Sequence, residues 1–380
     1  MKTPIETRAA RMPTPPKGTD APVMVEAFAV SDVGRTRDHN EDAFVVADLS
    51  NGAPIQFDRV IRQPAGAVGH LFMVADGMGG AAAGELASET AIDVVLRYMR
   101  EQWAPRRSAD APSFVLALET ATDIANTSIF RHAAEHPELR GMGTTATIAG
   151  LLGDALYLAQ VGDSRAYLVR DGVARQITKD QSLMQKLIEA GEITEEEAEI
   201  SERRNIILQA LGPEAIIRID LTHQRVRRGD ILVLCSDGLS GIVRADEIGR
   251  AFAEEPDLQM ACRRLVATAN ALGGPDNITV VSARFDGTGL GQPNDDDQVG
   301  HRIFAIPGRE VGPGESVEEL LQAKTAQMEA VFQKTPLELP PAVRLARQEK
   351  SLVYRGVLAA AAVVLGGYLV WRLVQLLALG

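Results

Sequence analysis

Cysteine is nearly missing from this chain: Cys235 and Cys262 are its only two, and neither sits in a CxxC or Cys/His spacing. That excludes a disulfide framework and a cysteine-based zinc site, and a reducing compartment is the simpler inference. Surplus positive charge is missing too. Lys and Arg number 39 against 51 Asp and Glu, a net charge of −12, which disfavours nucleic acid as the main partner because phosphate backbones are bound through excess cations. The six histidines are scattered and form no His-x-His pair. No GxxxxGK[ST] loop and no repeat of solenoid or propeller length is present. The N-terminus lacks the apolar stretch of a secretory signal and reads as a flexible leader over residues 1–23. Asn126-Thr127-Ser128 fits a glycosylation pattern but falls inside a helix candidate of a chain without that signal, so it is set aside.

What remains is an ordinary globular composition, 46% hydrophobic and 24% charged, with room for one sizeable core. Regular patterning runs over residues 24–286. Strand candidates are Met24–Ser31, Ala43–Ala47, Leu71–Ala75, Thr144–Leu151, Ala155–Val161, Arg165–Val169, Ile216–Leu221, Ile231–Cys235 and Ile278–Ala283. Asp171-Gly172 is a two-residue hairpin signal. Helix candidates are Glu85–Gln102, Pro112–Glu135, Leu183–Ala190, Glu195–Glu202 and Leu258–Ala271. Strands and long helices come in separate runs, which predicts an α+β fold with stacked antiparallel sheets between helices. The charged, helical excursion over 179–212 reads as a flap, and 287–350 as a disordered tether rich in Gly, Pro and acidic residues.

Three aspartates share one context. Asp76 ends the apolar run LFMVA, Asp237 follows ILVLCS, and Asp276 precedes ITVVSARF within GGPDN. An ionised carboxylate at the end of a core strand loses hydration and needs hydrogen bonds or a cation. Converging carboxylates repel one another, and a divalent ion is the usual remedy. An all-oxygen donor set points to Mg²⁺ or Mn²⁺ rather than Zn²⁺. Taken singly, each aspartate is equally readable as a turn or cap residue. A fourth element, SDVGRTRDHNEDA, packs Arg37, Glu41 and Asp42 into a short loop between strands. A guanidinium can clamp phosphate in a bidentate way while carboxylates bind metal; a solvated charged turn is the alternative.

The series SDVGRTRDHNED, VADGMGGAAAGELAS, GMGTTAT, VGDSRAYLVRDG, CSDGLS and GGPDNITVV resembles, in order and spacing, the type 2C or PPM family of protein phosphatases in its bacterial branch. The resemblance covers about Val25–Arg284. It implies an αββα sandwich with a two-metal centre between the sheets and hydrolysis of phosphoserine or phosphothreonine on proteins, opposing a bacterial serine/threonine kinase. By the same resemblance Asp76 would bridge both ions, with the Gly77 carbonyl as a further ligand. Asp237 and Asp276 would complete one shell, and Glu41 would bind the other ion. Arg37 would hold the phosphate, Asp42 would orient a water, and Asn277 would support the Asp276 loop. Bacterial relatives often hold a third metal through an aspartate, at whose place this chain has Glu138; Asp180 is a second candidate. Asp163 is assigned a turn and no chemistry. Met78 stands where animal members carry a histidine proposed as general acid. Two ions about 3.5–4 Å apart activate water directly, so no covalent phosphoenzyme is needed, in line with the lack of a Cys-x5-Arg loop after Cys235. A phosphatase dedicated to one regulatory partner is the runner-up reading, and a pseudophosphatase that only binds phosphoproteins comes from another class.

Between Arg355 and Arg372 lie sixteen uncharged residues, followed by LVQLLALG. At 1.5 Å per residue the strict run covers ~24 Å of a ~30 Å hydrocarbon core, and a snorkelling Arg372 extends it. Residues 352–379 are therefore expected to form a transmembrane anchor, with basic residues on its N-terminal side placing the catalytic domain in the cytoplasm. A core helix docked on the domain is the alternative.

Overall fold

The computed structural model describes residues 22–50, 59–106, 110–293 and 298–306. The expected anchor over 352–379, nearly all of the leader and most of the expected tether lie outside the described residues.

The strands are β1 (Met24–Asp32), β2 (Asp42–Asp48), β3 (Ile61–Pro64), β4 (His70–Met78), β5 (Gly143–Thr144), β6 (Ala146–Leu152), β7 (Ala155–Val161), β8 (Arg165–Arg170), β9 (Val173–Gln176), β10 (Asp220–Arg225), β11 (Ile231–Cys235) and β12 (Ile278–Asp286). The helices are α1 (Ala81–Tyr98), running into a π-turn at Met99–Trp103, α2 (Ala111–Glu135), α3 (Leu183–Glu189), α4 (Glu195–Glu199), α5 (Asp237–Ser240), α6 (Ala245–Glu254) and α7 (Leu258–Ala271). One antiparallel sheet has the order β3-β1-β12-β11-β8-β9; the other has β10-β7-β6-β4-β2, with β5 paired to β4.

The period-two pattern of each strand explains the layers. In β4, Phe72 and Val74 face the other sheet, while Leu71, Met73 and Ala75 face α1 and α2. In β11, Leu232 and Leu234 face inward, while Ile231, Val233 and Cys235 face α6 and α7. Both strands read as unbroken apolar runs because both faces are covered. The result is the expected αββα sandwich. Its helices are fastened at their starts: Asp110 accepts from the Ser113 amide at 2.9 Å and Asp257 from the Met260 amide at 3.0 Å, each satisfying an amide that has no partner within its helix. Asp171 and Gly172 both take positive φ, 51° and 76°, the geometry that lets a two-residue turn close the β8–β9 hairpin.

Four expectations need correction. The strand placed at Ile216–Leu221 forms instead at Asp220–Arg225, where Thr222 and Gln224 are buried polar residues; Ile217 and Ile219 pack against the helical side of the core from a loop. Helix α6 is absent from the sequence expectation because Gly249 interrupts its short apolar pattern. That glycine lets the helix ride against the β8–β9 hairpin, where a Cβ would strike the Gly172 carbonyl. The helix expected over Glu195–Glu202 stops at Glu199, held by a capping box between Thr194 and Glu197. The tether also starts later than Gly287. Leu290 is buried, and residues 298–306 lie along β10, with the His223 amide donating to the Arg302 carbonyl and the Phe304 amide to the Leu221 carbonyl, both at 2.9 Å. The Phe304 ring sits edge-on to Tyr157 and His223.

Burying Leu290 and Phe304 is worth about 1.5–3 kcal/mol apiece. A chain ended after Asp286 should therefore melt at lower temperature and lower urea than one ended after residue 306. Equal midpoints would show that the docked segment contributes no stability.

Candidate metal centre

The sheets bring four strand ends together at one edge of the sandwich. Asp42 opens β2 and lies directly opposite Asp76 near the end of β4. Asp237 follows β11, and Asp276 precedes β12, its antiparallel neighbour. Each carboxylate is thus delivered by a strand that the core holds rigidly.

The backbone around Asp76 is fixed on both sides. Its amide donates to the Thr145 hydroxyl at 2.9 Å, and its carbonyl accepts from the Thr145 amide and the Thr144 hydroxyl, each at 2.9 Å. Gly77 lies so close to Glu41 and Gly84 that a Cβ would strike both carbonyls. Asn277 ties the Arg37 loop to β12: its side-chain oxygen accepts from the Glu41 amide at 2.8 Å, while its amide nitrogen donates to the carbonyls of Val33 at 3.0 Å and His39 at 2.8 Å. Asp42 accepts from the hydroxyls of Ser236 at 2.7 Å and Thr279 at 2.6 Å through Oδ2. Its Oδ1 is buried with no hydrogen-bond partner among the described residues.

The electrostatics follow from this crowding. Burial first, then Asp42 and Asp237, push Asp76 well above the usual carboxyl range. Burial also raises Asp42 to about 7, against the pull of its two hydroxyl donors. Asp237 is raised by burial and then by Asp276, and its side chain lies within hydrogen-bond reach of Asp76. Glu41 is raised by burial, opposed by Arg37. Arg37, a cation at the rim, pairs with Asp276 at 2.8 Å and is half exposed. Arg37, Glu41, Asp76, Gly77, Asp237, Asp276 and Asn277 all line one cleft of about 580 Å³. Among the described residues no three His, Cys, Asp or Glu side chains are gathered closely enough to hold an ion by themselves. The donor set nevertheless fits hard divalent ions: it is all oxygen, rich in mutually repelling carboxylates, and includes an orphaned buried Asp42 oxygen.

The remaining candidates do not line that cleft, although the cleft beside it, which holds Asp163 and Asp180, is also lined by Arg37, Asp237 and Asp276. Glu138 is exposed on a 3₁₀ turn at Pro137–Leu139 and does not line that cleft. Asp180 faces a neighbouring cleft of about 570 Å³, where Arg165 grips both of its oxygens, at 2.7 Å from Nη2, and Gln176 donates to it at 2.8 Å. Asp163, which sequence reasoning passed over as a turn residue, is buried with its Oδ1 unpartnered among the described residues. It is pushed up to about 8 by burial, then by Asp237 and Asp180. The signal was available: Asp163 closely follows the buried strand β7, the same context that singled out Asp76 and Asp237.

Fold and site together define a metal-dependent phosphoric-ester hydrolase, with carboxylates to gather cations and an arginine at the rim to meet phosphate. The sequence profile described as protein phosphatase 2C matches residues 47–278, and the chain belongs to that family. It is 35% identical over 262 residues to the serine/threonine phosphatase stp of Listeria monocytogenes, across 69% of this chain and 96% of that protein. The crystal structure of the Mycobacterium tuberculosis serine/threonine phosphatase PstP/Ppp superposes with a TM-score of 0.58 at 35% identity, covering 69% of this chain and 99% of that one. The PstP catalytic domain in complex with two manganese ions gives a TM-score of 0.56 at 34% identity, with coverage of 70% and 99%. The chain is therefore a metal-dependent serine/threonine protein phosphatase acting on phosphorylated proteins.

The raised carboxyl groups have a thermodynamic consequence. The folded, metal-free protein keeps protons that the unfolded chain releases near pH ~4, so this stability is present below that pH and is lost as pH rises through about 7–8. In a chelator the domain should melt at a higher temperature near pH ~5.5 than near pH ~8, and Mn²⁺ should raise the midpoint more at the higher pH. Stability that rises with pH in the chelator would contradict the crowding of carboxylates.

Proposed function

We propose that this chain hydrolyses phosphoserine and phosphothreonine at a binuclear Mn²⁺ or Mg²⁺ centre, opposing a bacterial serine/threonine kinase. One observation carries the reading: Glu41, Asp76, Asp237, Asp276 and Arg37 share one cleft, and their carboxylates are crowded enough that divalent cations would relieve their mutual repulsion. Asp76, the Gly77 carbonyl, Asp237, Asp276 and Glu41 would hold the ions. When bound, the ions supply charge neutralisation, activation of the attacking water and Lewis-acid polarisation of the phosphoryl oxygens.

The chain's own groups do the rest. Arg37 is already at the rim, and its half-exposed guanidinium, now paired with Asp276, is placed to take the substrate phosphate instead through two N–H groups. Asp42 is anchored by Ser236 and Thr279 through Oδ2, which leaves Oδ1 to orient the attacking water. Water and phosphomonoester yield inorganic phosphate and the free hydroxyl of serine or threonine. The kinase partner is supported by the bacterial serine/threonine phosphatases that this chain resembles.

Hydrolysis of p-nitrophenyl phosphate and of phosphothreonine peptides should disappear in EDTA and return with Mn²⁺ or Mg²⁺. Asp76→Asn should lower turnover by about 10³-fold or more, since the change disturbs both ions. Arg37→Ala should instead raise the Michaelis constant while metal affinity stays near the wild-type value. Full turnover in EDTA or in Asp76→Asn would sink the two-metal centre.

We also propose that the uncharged run over residues 356–371 attaches the protein to a membrane, with the phosphatase domain on the cytoplasmic side. Among the described residues no helix is long and apolar enough to cross a membrane, so the proposal rests on the hydropathy of that run and the basic residues before it. Full-length protein should stay in the membrane pellet through alkaline carbonate and leave only with detergent. Release by carbonate would point to surface or domain docking.

A further inference from the structure

Asn126 sits in the middle of α2 and is completely buried. An asparagine there weakens the helix, because its amide competes for backbone partners and must be satisfied out of water. The partners it finds are not in its own helix. Its Oδ1 accepts from the Gly212 amide at 2.7 Å, and its Nδ2 donates to the carbonyls of Glu214 at 3.0 Å and Ala215 at 3.2 Å. This is the loop by which the flap returns to the domain.

That loop faces the reaction. Ile206, Ala210, Pro213, Glu214 and Ile217 line the same cleft as the carboxylates. The residue before Gly212 is bound to the carboxylate side as well: Leu211 and Thr144 exchange backbone hydrogen bonds at 2.8 and 3.0 Å, and the Thr144 hydroxyl donates to the Asp76 carbonyl. Gly212 itself has φ 105°, and a Cβ on it would strike Ile129 of α2 and crowd the Met142 carbonyl. The loop is therefore pressed against the helix at the point where Asn126 holds it.

We infer that Asn126 is a positioning residue, fixing the exit of the flap, and with it the apolar wall of the cleft, at a set distance from the metal-binding carboxylates. It touches neither phosphate nor ion. Its influence falls on substrates large enough to reach the wall: a phosphopeptide spans the cleft, whereas p-nitrophenyl phosphate is held at the carboxylate side. The inference rests on the phosphatase reading, which loss of wild-type p-nitrophenyl phosphate turnover in EDTA tests separately.

The test is steady-state kinetics of full-length Asn126→Ala with a phosphothreonine peptide and with p-nitrophenyl phosphate, at saturating Mn²⁺ and well below the melting temperature. The Michaelis constant for the peptide should rise on the order of tenfold, with little change in kcat for either substrate. Asn126→Asp keeps an acceptor for Gly212 but turns an oxygen onto the Glu214 and Ala215 carbonyls, so it should show the same split as Asn126→Ala. Gly212→Ala displaces the same loop without altering Asn126 and should reproduce the split, so the inference stays testable if Asn126→Ala folds poorly. Parallel loss on both substrates in step with a lower melting temperature, or unchanged peptide kinetics in folded variants, would overturn it.

Discussion

Repulsion among carboxylates held at the ends of buried strands is the constraint around which this molecule is organised. Asp42, Asp76 and Asp237 would separate or bind solvent if the chain allowed it. It does not, because β2, β4, β11 and β12 belong to sheets whose two faces are both covered. The sandwich acts as a frame that carries an electrostatic load, and the load is relieved only by protons or by divalent cations. Burial raises these groups and cations lower them again, so metal affinity and fold stability are two expressions of one arrangement.

The frame is kept true by uncharged side chains. Thr144 and Thr145 fix the peptide groups at Asp76, Ser236 and Thr279 hold one oxygen of Asp42, and Asn277 stitches the Arg37 loop to β12. Neutral donors can hold a carboxylate in place without cancelling its charge, which leaves that charge available to an ion. Arg37 differs. Its pairing with Asp276 is at the rim, where solvent weakens it, so the guanidinium can exchange one anion for another.

Much of this was legible in the sequence. The apolar runs before Asp76 and Asp237 drew attention to both, because a strand buried on both faces must be apolar throughout and polar residues resume at the edge of the core. The Asp171-Gly172 turn was legible for an equally local reason. Asp163 was missed although it satisfies the same rule, since the glycine and serine beside it also satisfy a turn. Strand β10 was misplaced because its buried residues include the polar Thr222 and Gln224, which break the apolar pattern by which a strand is read. The short β3 and β5 and the helix α6 are stabilised by what they pack on, and local pattern carries little of that information. Glu138 shows the converse: position in a motif did not bring its side chain to the cleft.

The strip of chain at residues 298–306 adds a mechanical aspect. It is joined to β10 by few backbone hydrogen bonds, with the Phe304 ring as its main apolar grip. A tension applied through the residues that follow would meet this strip before any strand of the sandwich. The strip would peel away one bond at a time, at low force, while β10 and the layers behind it stayed loaded only through the remaining chain. It is built as a strain relief, able to absorb a tug without passing it to the carboxylate frame.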